Sequence, residues 1–309
     1  MRSVTPWLLM PVALFSVSGA AWADETATLD FNRTWSAKVG AGREYDSNVS
    51  VSEVDASSGE SDYAWTTDLG VGVNQSLGKK TDLALNYDFS QSLYDDFSFV
   101  DRQTHIVGAN LSTDLTRTKA GLSAYYISSR LDGDPFLEYL RLSPSLSGFI
   151  SKRWFARSAY VYAERSIDRR RDRDANTHSL EGDLYYFHRG LRSYFNIGYR
   201  YRDEDTVLDA LDFRSHGLKI RYIRRFTVGS TQAKGEVSWR YEERRYLSPD
   251  PVIGRERSDD RGRFKLDLEV PLGNRATLKW YYSYGDFVSN LPRADFTQTI
   301  VGTRVEFNW

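Results

Sequence analysis

Apolar residues recur at every second position through most of this chain. Near the carboxyl end, Val301, Thr303, Val305, Phe307 and Trp309 share one parity, and Gly302, Arg304, Glu306 and Asn308 share the other. A period of two belongs to a β-strand with one apolar and one polar face. The same grammar opens the chain. Trp35, Ala37, Val39 and Ala41 alternate with Lys38, Gly40, Gly42 and Glu44, and Trp65, Leu69, Val71 and Val73 alternate with Asp68, Gly70, Gly72 and Asn74. Further apolar stripes fall at 83–89, 107–111, 122–126, 140–146, 180–186, 195–201, 218–222, 237–241, 264–270 and 278–284. The stretch 155–165 is strand-like in length but shows no clear face. The pattern predicts fourteen strands.

The connections alternate in length. Short turns are expected near 78–81, 114–118, 151–154, 188–191, 224–229 and 271–275. Longer, more polar loops are expected near 47–62, 95–101, 131–136, 168–176, 203–212, 245–260 and 288–295. Short turns at one end and long loops at the other mark a transmembrane antiparallel up-and-down β-barrel. A propeller or a sandwich has no reason for that alternation. An even strand count puts both termini on one side, the periplasmic one.

Composition supports an all-β barrel in lipid. Charged residues make up 27% and mean hydropathy is −0.53, yet aromatic residues reach 14%. An apolar outer face around a polar lumen reconciles these values. The chain begins with Arg2, a short apolar run and Ala21-Trp22-Ala23. That reads as a signal peptide over 1–23, followed by a lead at 24–34 and one barrel over 35–309. The expected location is the cell outer membrane. Cysteine is absent, so no disulfide framework is available. A net charge of −1 gives no reason to expect a nucleic-acid partner.

Candidate chemistry is sparse. His105, His178 and His216 share parity with Val107, Leu180 and Leu218, so they face outward at the membrane interface, away from any sheltered site; His188 is the fourth histidine. Their spacing suggests one position of a repeating hairpin. No catalytic constellation, metal-ligand cluster or cofactor motif emerges, and the chain does not read as an enzyme. Charge concentrates on lumen parity: Arg200, Arg202, Lys219, Arg221, Glu236, Arg240, Glu242, Arg263, Lys265, Asp267, Glu269, Lys279, Arg304 and Glu306. In lipid each would be costly, so these residues line the interior. Cross-strand salt bridges that stiffen the wall, or a mixed-charge path for a large hydrated cargo, both account for them. Pro144 lies inside a strand and cannot donate to a ladder; it marks a bulge or an unpaired edge, the candidate lateral seam. The segment 169–174 is a basic loop suited to lipopolysaccharide phosphates. Trp35, Tyr63, Trp65, Trp154, Trp280 and Trp309 mark aromatic girdles.

Three short stretches carry a resemblance. They are Glu44-Tyr45-Asp46-Ser47-Asn48-Val49, Leu131-Asp132-Gly133-Asp134-Pro135-Phe136 and Leu142-Ser143-Pro144-Ser145-Leu146. In this order, with the histidine-started strands and the terminal aromatic residue, they resemble the carboxyl-terminal barrel of the surface lipoprotein assembly modifier family. The resemblance implies a fourteen-stranded barrel that helps lipoproteins reach the cell surface. Family members with that role carry a helical repeat domain before the barrel; here only 24–34 lies between leader and barrel, so a stand-alone barrel is expected. Val305, Phe307 and Trp309 resemble the terminal signal by which the barrel-assembly machinery recognises its clients. The leading expectation is translocation or display of a macromolecular cargo. A diffusion channel, a polysaccharide-export barrel and an adhesive barrel are the alternatives. Expected partners are outer-membrane lipid and lipopolysaccharide, the barrel-assembly machinery, a periplasmic partner, and an exported lipoprotein or polysaccharide.

Overall fold

The structure, a computed structural model, describes residues 33–229 and 231–309. The expected signal peptide and most of the 24–34 lead lie outside the described residues. Sixteen strands follow in order: β1 (Arg33–Asp46), β2 (Ser50–Val51), β3 (Ala56–Ser57), β4 (Asp62–Ser76), β5 (Thr81–Tyr94), β6 (Arg102–Asp114), β7 (Lys119–Leu131) and β8 (Asp134–Ser151). Then come β9 (Trp154–Ile167), β10 (Ala175–Leu191), β11 (Ser193–Thr206), β12 (Phe213–Val228), β13 (Thr231–Asp250), β14 (Arg255–Pro271), β15 (Ala276–Ser289) and β16 (Phe296–Asn308). Fourteen of them pair with their sequence neighbours, and β1 returns to β16, closing an antiparallel barrel; β2 and β3 form a separate small hairpin.

Alternation decides which face each side chain takes. Trp35, Val39, Val71, Val107, Leu122, Leu180, Ile197, Ile220 and Val237 point outward and are exposed. That exposure would be untenable in water and is required in lipid. Closure rests on nine register pairs from Lys38↔Asn308 to Asp46↔Ile300. Reciprocal backbone bonds between Ala37 and Trp309, at 3.0 and 2.9 Å, extend it. Glycine is needed next to this closure. At Gly302 the Tyr281 ring occupies the space a Cβ would take. It lies across the strand so that its hydroxyl donates to Glu44 Oε2 at 2.6 Å.

Several expected connections differ from what forms. The 131–136 loop is a two-residue turn, with Asp132 and Gly133 at φ 49° and 78°. Positive φ at both positions matches the twist of the flanking strands. The 245–260 loop is largely strand: β13 and β14 run on to a turn at 251–254, with a register slip between Arg245 and Pro249. The short turns expected at 188–191 and 224–229 are mostly strand as well. The stretch 155–165 acquires faces in β9: Tyr160, Tyr162 and Glu164 point outward, while Ala159, Val161 and Ala163 are buried inside. Its apolar residues face the interior because the lumen is filled at that level, which inverts the usual hydropathy pattern.

At Pro144 no bulge forms. Pairing with β7 is unbroken, with Leu122↔Pro144 in register. Pairing with β9 lapses between Leu142↔Tyr162 and Ser145↔Ala159 and resumes without a shift. The missing proline N–H accounts for such a gap.

The short turns define one end of the barrel and the longer connections the other. At the loop end, five single turns of 3-10 helix lie between strands. Packing is concentrated there: Val49, Val51, Ala64, Tyr94, Val100, Phe136, Leu137 and Ile167 form one buried cluster. A second buried cluster, Tyr185, Tyr194 and Ile223 with Phe155 and Phe187 against it, lies towards the turn end, where the other lumen-facing side chains are mostly half-buried.

Candidate functional site

The buried cluster exists because residues 47–61 fold into the barrel mouth. The neck of this segment is fixed first. Asp46 Oδ1 accepts from the Asn48 backbone N–H at 3.0 Å, and Asn48 Nδ2 donates to the Thr297 carbonyl at 2.9 Å. Gln298 Nε2 donates to both Asp46 oxygens and to the Asn48 carbonyl. These bonds turn the chain inward. Val49 and Val51 then enter the apolar cluster. Ser52–Val54 makes one 3-10 turn, and Asp55 reverses the chain at φ 52°, in the left-handed region that aspartate tolerates better than most residues.

Asp55 is the latch of this hairpin. It is 5% exposed. Arg257 donates to it through Nη1 at 2.9 Å and Nη2 at 3.0 Å, a bidentate fork. Arg173 Nη2 donates at 2.9 Å and Arg261 Nη2 at 3.4 Å. Behind them Asp259 accepts from Arg257 at 2.8 Å, from Arg261 at 2.9 Å and from Ser289 Oγ at 2.7 Å. The Tyr246 ring lies beneath Arg257, 4.6 Å away. Burial pushes the Asp55 carboxyl up, but the Arg257 hydrogen bonds, with the Arg257, Arg261 and Arg173 charges, outweigh it and hold Asp55 well below the usual carboxylate range. On the opposite side, Glu53 accepts from Arg102 at 2.8 Å, and Arg102 lies over the Phe136 ring at 5.2 Å. β6 and β14, which supply Arg102 and Arg257, each stand three places from β1 around the wall. The hairpin therefore spans the mouth and ties both sides.

Beneath the hairpin lies a cavity of about 110 Å³. Its wall includes several charges expected at lumen parity. Arg202, on the wall, and Arg200, outside it, approach the wall residue Glu242 at 3.7 and 3.3 Å. Arg240 and Arg263 line the same cavity, with Arg263 over Phe287 at 5.3 Å. Nearer the turn end, Arg221 meets Glu236 at 3.6 Å and Lys279 meets Glu306 at 2.9 Å. Other expected charges find partners that parity did not single out. Lys219 bonds Asp183 at 2.6 Å, Glu269 accepts from Lys234 at 3.2 Å, and Arg304 pairs with Asp68. Lys265 and Asp267 share that face of β14, half-buried.

Outside the barrel, the histidines occupy equivalent places. The hydroxyls of Tyr87, Tyr160 and Tyr199 stand 2.8, 2.5 and 2.7 Å from Nδ1 of His105, His178 and His216. Each contact is diagonal, two residues from the tyrosine's register partner. Tyr126 with Glu138, at 3.0 Å, and Tyr241 with Asp260, at 2.6 Å, repeat the geometry. One hairpin design thus recurs five times. Among the described residues, no cluster of histidine and carboxylate side chains could hold a metal ion. The basic segment at 169–174 is divided in its contacts: Arg169 and Arg170 pair with Asp134 and Asp172 at the surface, while Arg173 turns inward to the latch. Phe307 and Trp309 stack 6.3 Å apart on the outer face at the closing strand.

A closed antiparallel barrel with an apolar outer face and a charged lumen is an outer-membrane β-barrel. Solved structures agree at the level of fold. An anion-selective porin from Comamonas acidovorans superposes with a TM-score of 0.51 at 10% identity, over 91% of this chain and 100% of that one. In-vitro folded OmpT, an outer membrane protein of Vibrio cholerae, gives 0.51 at 10% identity, over 90% and 98%. No curated protein matches the chain. Residues 35–271 match the surface lipoprotein assembly modifier family, and the chain belongs to it.

Sequence reasoning missed the latch. The sequence pattern places Glu53, Asp55, Arg173, Arg257 and Asp259 in loops and gives Arg261 no role. Two signals were present: Val49 and Val51 alternate within an otherwise polar loop, and Arg257, Asp259 and Arg261 continue the lumen parity of Arg263.

Proposed function

We propose that this protein is a gated barrel through which a lipoprotein, or a segment of one, reaches the cell surface. In this reading the turn end faces the periplasm and the loop end faces outward. The supporting observation is the family match across 35–271, since the family is defined by surface lipoprotein assembly. The geometry gives the role a physical form. The mouth is stoppered by a hairpin held in large part by charge-assisted bonds to Asp55 and Glu53, which an incoming charged segment can exchange for its own. Below it the lumen offers paired charges of both signs, suited to a hydrated polypeptide rather than to one small ion. No bond-making step belongs to this role.

The test compares cells with and without the protein, by protease shaving of intact cells and identification of the released lipoproteins. One or more lipoproteins should lose surface exposure in its absence while remaining in the outer membrane. An unchanged surface population, together with slower uptake of small solutes, would replace translocation by the diffusion-channel reading.

A further inference from the structure

Two buried carboxylates beneath the hairpin serve four guanidiniums. Glu204 is approached by Arg165 at 2.9 Å and Arg202 at 3.6 Å. Glu242 is approached by Arg244 at 2.9 Å, Arg200 at 3.3 Å and Arg202 at 3.7 Å. Glu204, Glu242, Arg200 and Arg202 are all buried. The imbalance extends over the whole cavity. Its wall holds seven arginines and four carboxylates; Arg240 and Arg263 also have acidic neighbours beyond the wall, Glu236 and Asp267 for the first and Asp46 for the second, which leaves five arginines against four carboxylates. Arg257 and Asp259, just behind it, cancel one another. Two of the four carboxylates, Glu53 and Asp55, belong to the hairpin and are already engaged by Arg102, Arg173, Arg257 and Arg261.

Donor geometry gives an independent sign. Arg173 Nε, Arg202 Nη2 and Arg244 Nε are buried donors without a hydrogen-bond partner, against one such acceptor, Glu53 Oε2, and all four side chains line this one cavity. A buried cation lacking its counter-charge is costly, and an unpaired buried donor adds to that cost. A single ligand that brings negative charge and several acceptor oxygens removes both penalties. The space suffices for a small polyatomic ion with water around it.

The geometry points to an oxyanion site in the lumen, beneath the hairpin, that takes a small phosphate or carboxylate anion. Arg202 and Arg244 are its principal donors, with Arg173 contributing from the hairpin side. The bound anion completes the charge balance of the mouth and consolidates the closed barrel. The site is independent of any particular cargo.

The experiment uses the full chain refolded in detergent micelles. Inorganic phosphate and, separately, citrate are titrated calorimetrically at constant ionic strength in chloride, and the thermal unfolding midpoint is followed alongside. We expect saturable one-site binding of at least one of the two, and a midpoint that rises with its concentration. Binding by phosphate alone or citrate alone supports the site and assigns its chemistry. Arg202→Met and Arg244→Met should each weaken binding by about tenfold or more, the loss of a charge-assisted bond. Glu204→Gln removes a competing carboxylate and should tighten binding. Because that change acts in the opposite direction, general damage to the barrel cannot imitate the full pattern. Absence of saturable binding by both anions, or a Glu204→Gln protein that binds no more tightly than the parent, overturns the proposal.

Discussion

Replacing Asp55 with asparagine should unseat the hairpin. The substitution keeps shape and removes one charge from the point where Arg173, Arg257 and Arg261 converge. Arg257 and Arg261 are then left facing Asp259, and Arg173 keeps its bond to the Glu53 carbonyl. Removing one partner from a buried ion pair costs about 3–5 kcal/mol. The other main contribution to seating is the burial of Val49 and Val51, about 1.5–3 kcal/mol each. The latch is thus of the same order as the apolar contacts, and its loss shifts the open-to-closed ratio by roughly 150- to 5,000-fold. Planar-bilayer recording of single refolded barrels reads this directly. The parent protein should be closed with rare brief openings, and D55N should show long-lived current. A D55N barrel that is folded by heat-modifiable migration, yet has the parent's open probability, refutes the latch argument.

Four other outcomes follow from the same contacts. The pH response is set by the sign of the Asp55 shift: the folded carboxyl is held low, so its stabilisation is complete above the unfolded value of about 3.9 and lost only as pH falls through the depressed folded value. Conductance should therefore be flat from pH 7 to about 4.5, and opening of the parent in mild acid would contradict this assignment. Gly302→Ala displaces the Tyr281 ring and its bond to Glu44, with an expected loss of about 1–3 kcal/mol in urea unfolding from vesicles; an unchanged midpoint argues against the close approach. Deleting Trp309 removes two backbone bonds to Ala37 and should cost about 1–3 kcal/mol by the same assay, with a lower folded yield. Pro144→Ala restores a backbone donor beside the gap in the β8–β9 ladder and should raise the melting temperature slightly; a fall instead would show that the gap is strain-free as built.

The wall of the barrel was legible because lipid enforces a strict rule. A charge at outward parity is so costly that alternation assigned the faces of nearly every strand, including the outward histidines. The rule weakens where lipid no longer decides. β13 and β14 extend beyond the regular stripes, and their polar ends, Arg245 and Asp260 among them, read as loop although they pair in a ladder. β9 read as faceless because Ala159, Val161 and Ala163 pack against a filled lumen. Parity also says that Arg200 or Arg304 faces inward without saying which carboxylate it meets, because that depends on strand stagger and on what crosses the barrel. Asp55 is the extreme case. Its partners lie 118, 202 and 206 residues away, and nothing local to the loop announces them.

That separation makes the latch depend on distant parts of the wall. The hairpin follows β1 in the chain, but the arginines that hold Asp55 lie in the segment before β10 and on β14. Without β14, Asp55 has only Arg173 to grip, and the mouth is incompletely latched. Seating of the hairpin therefore reports that most of the wall is in place. A barrel that lacks β14 is a leaky one, because that strand brings the main means of shutting it.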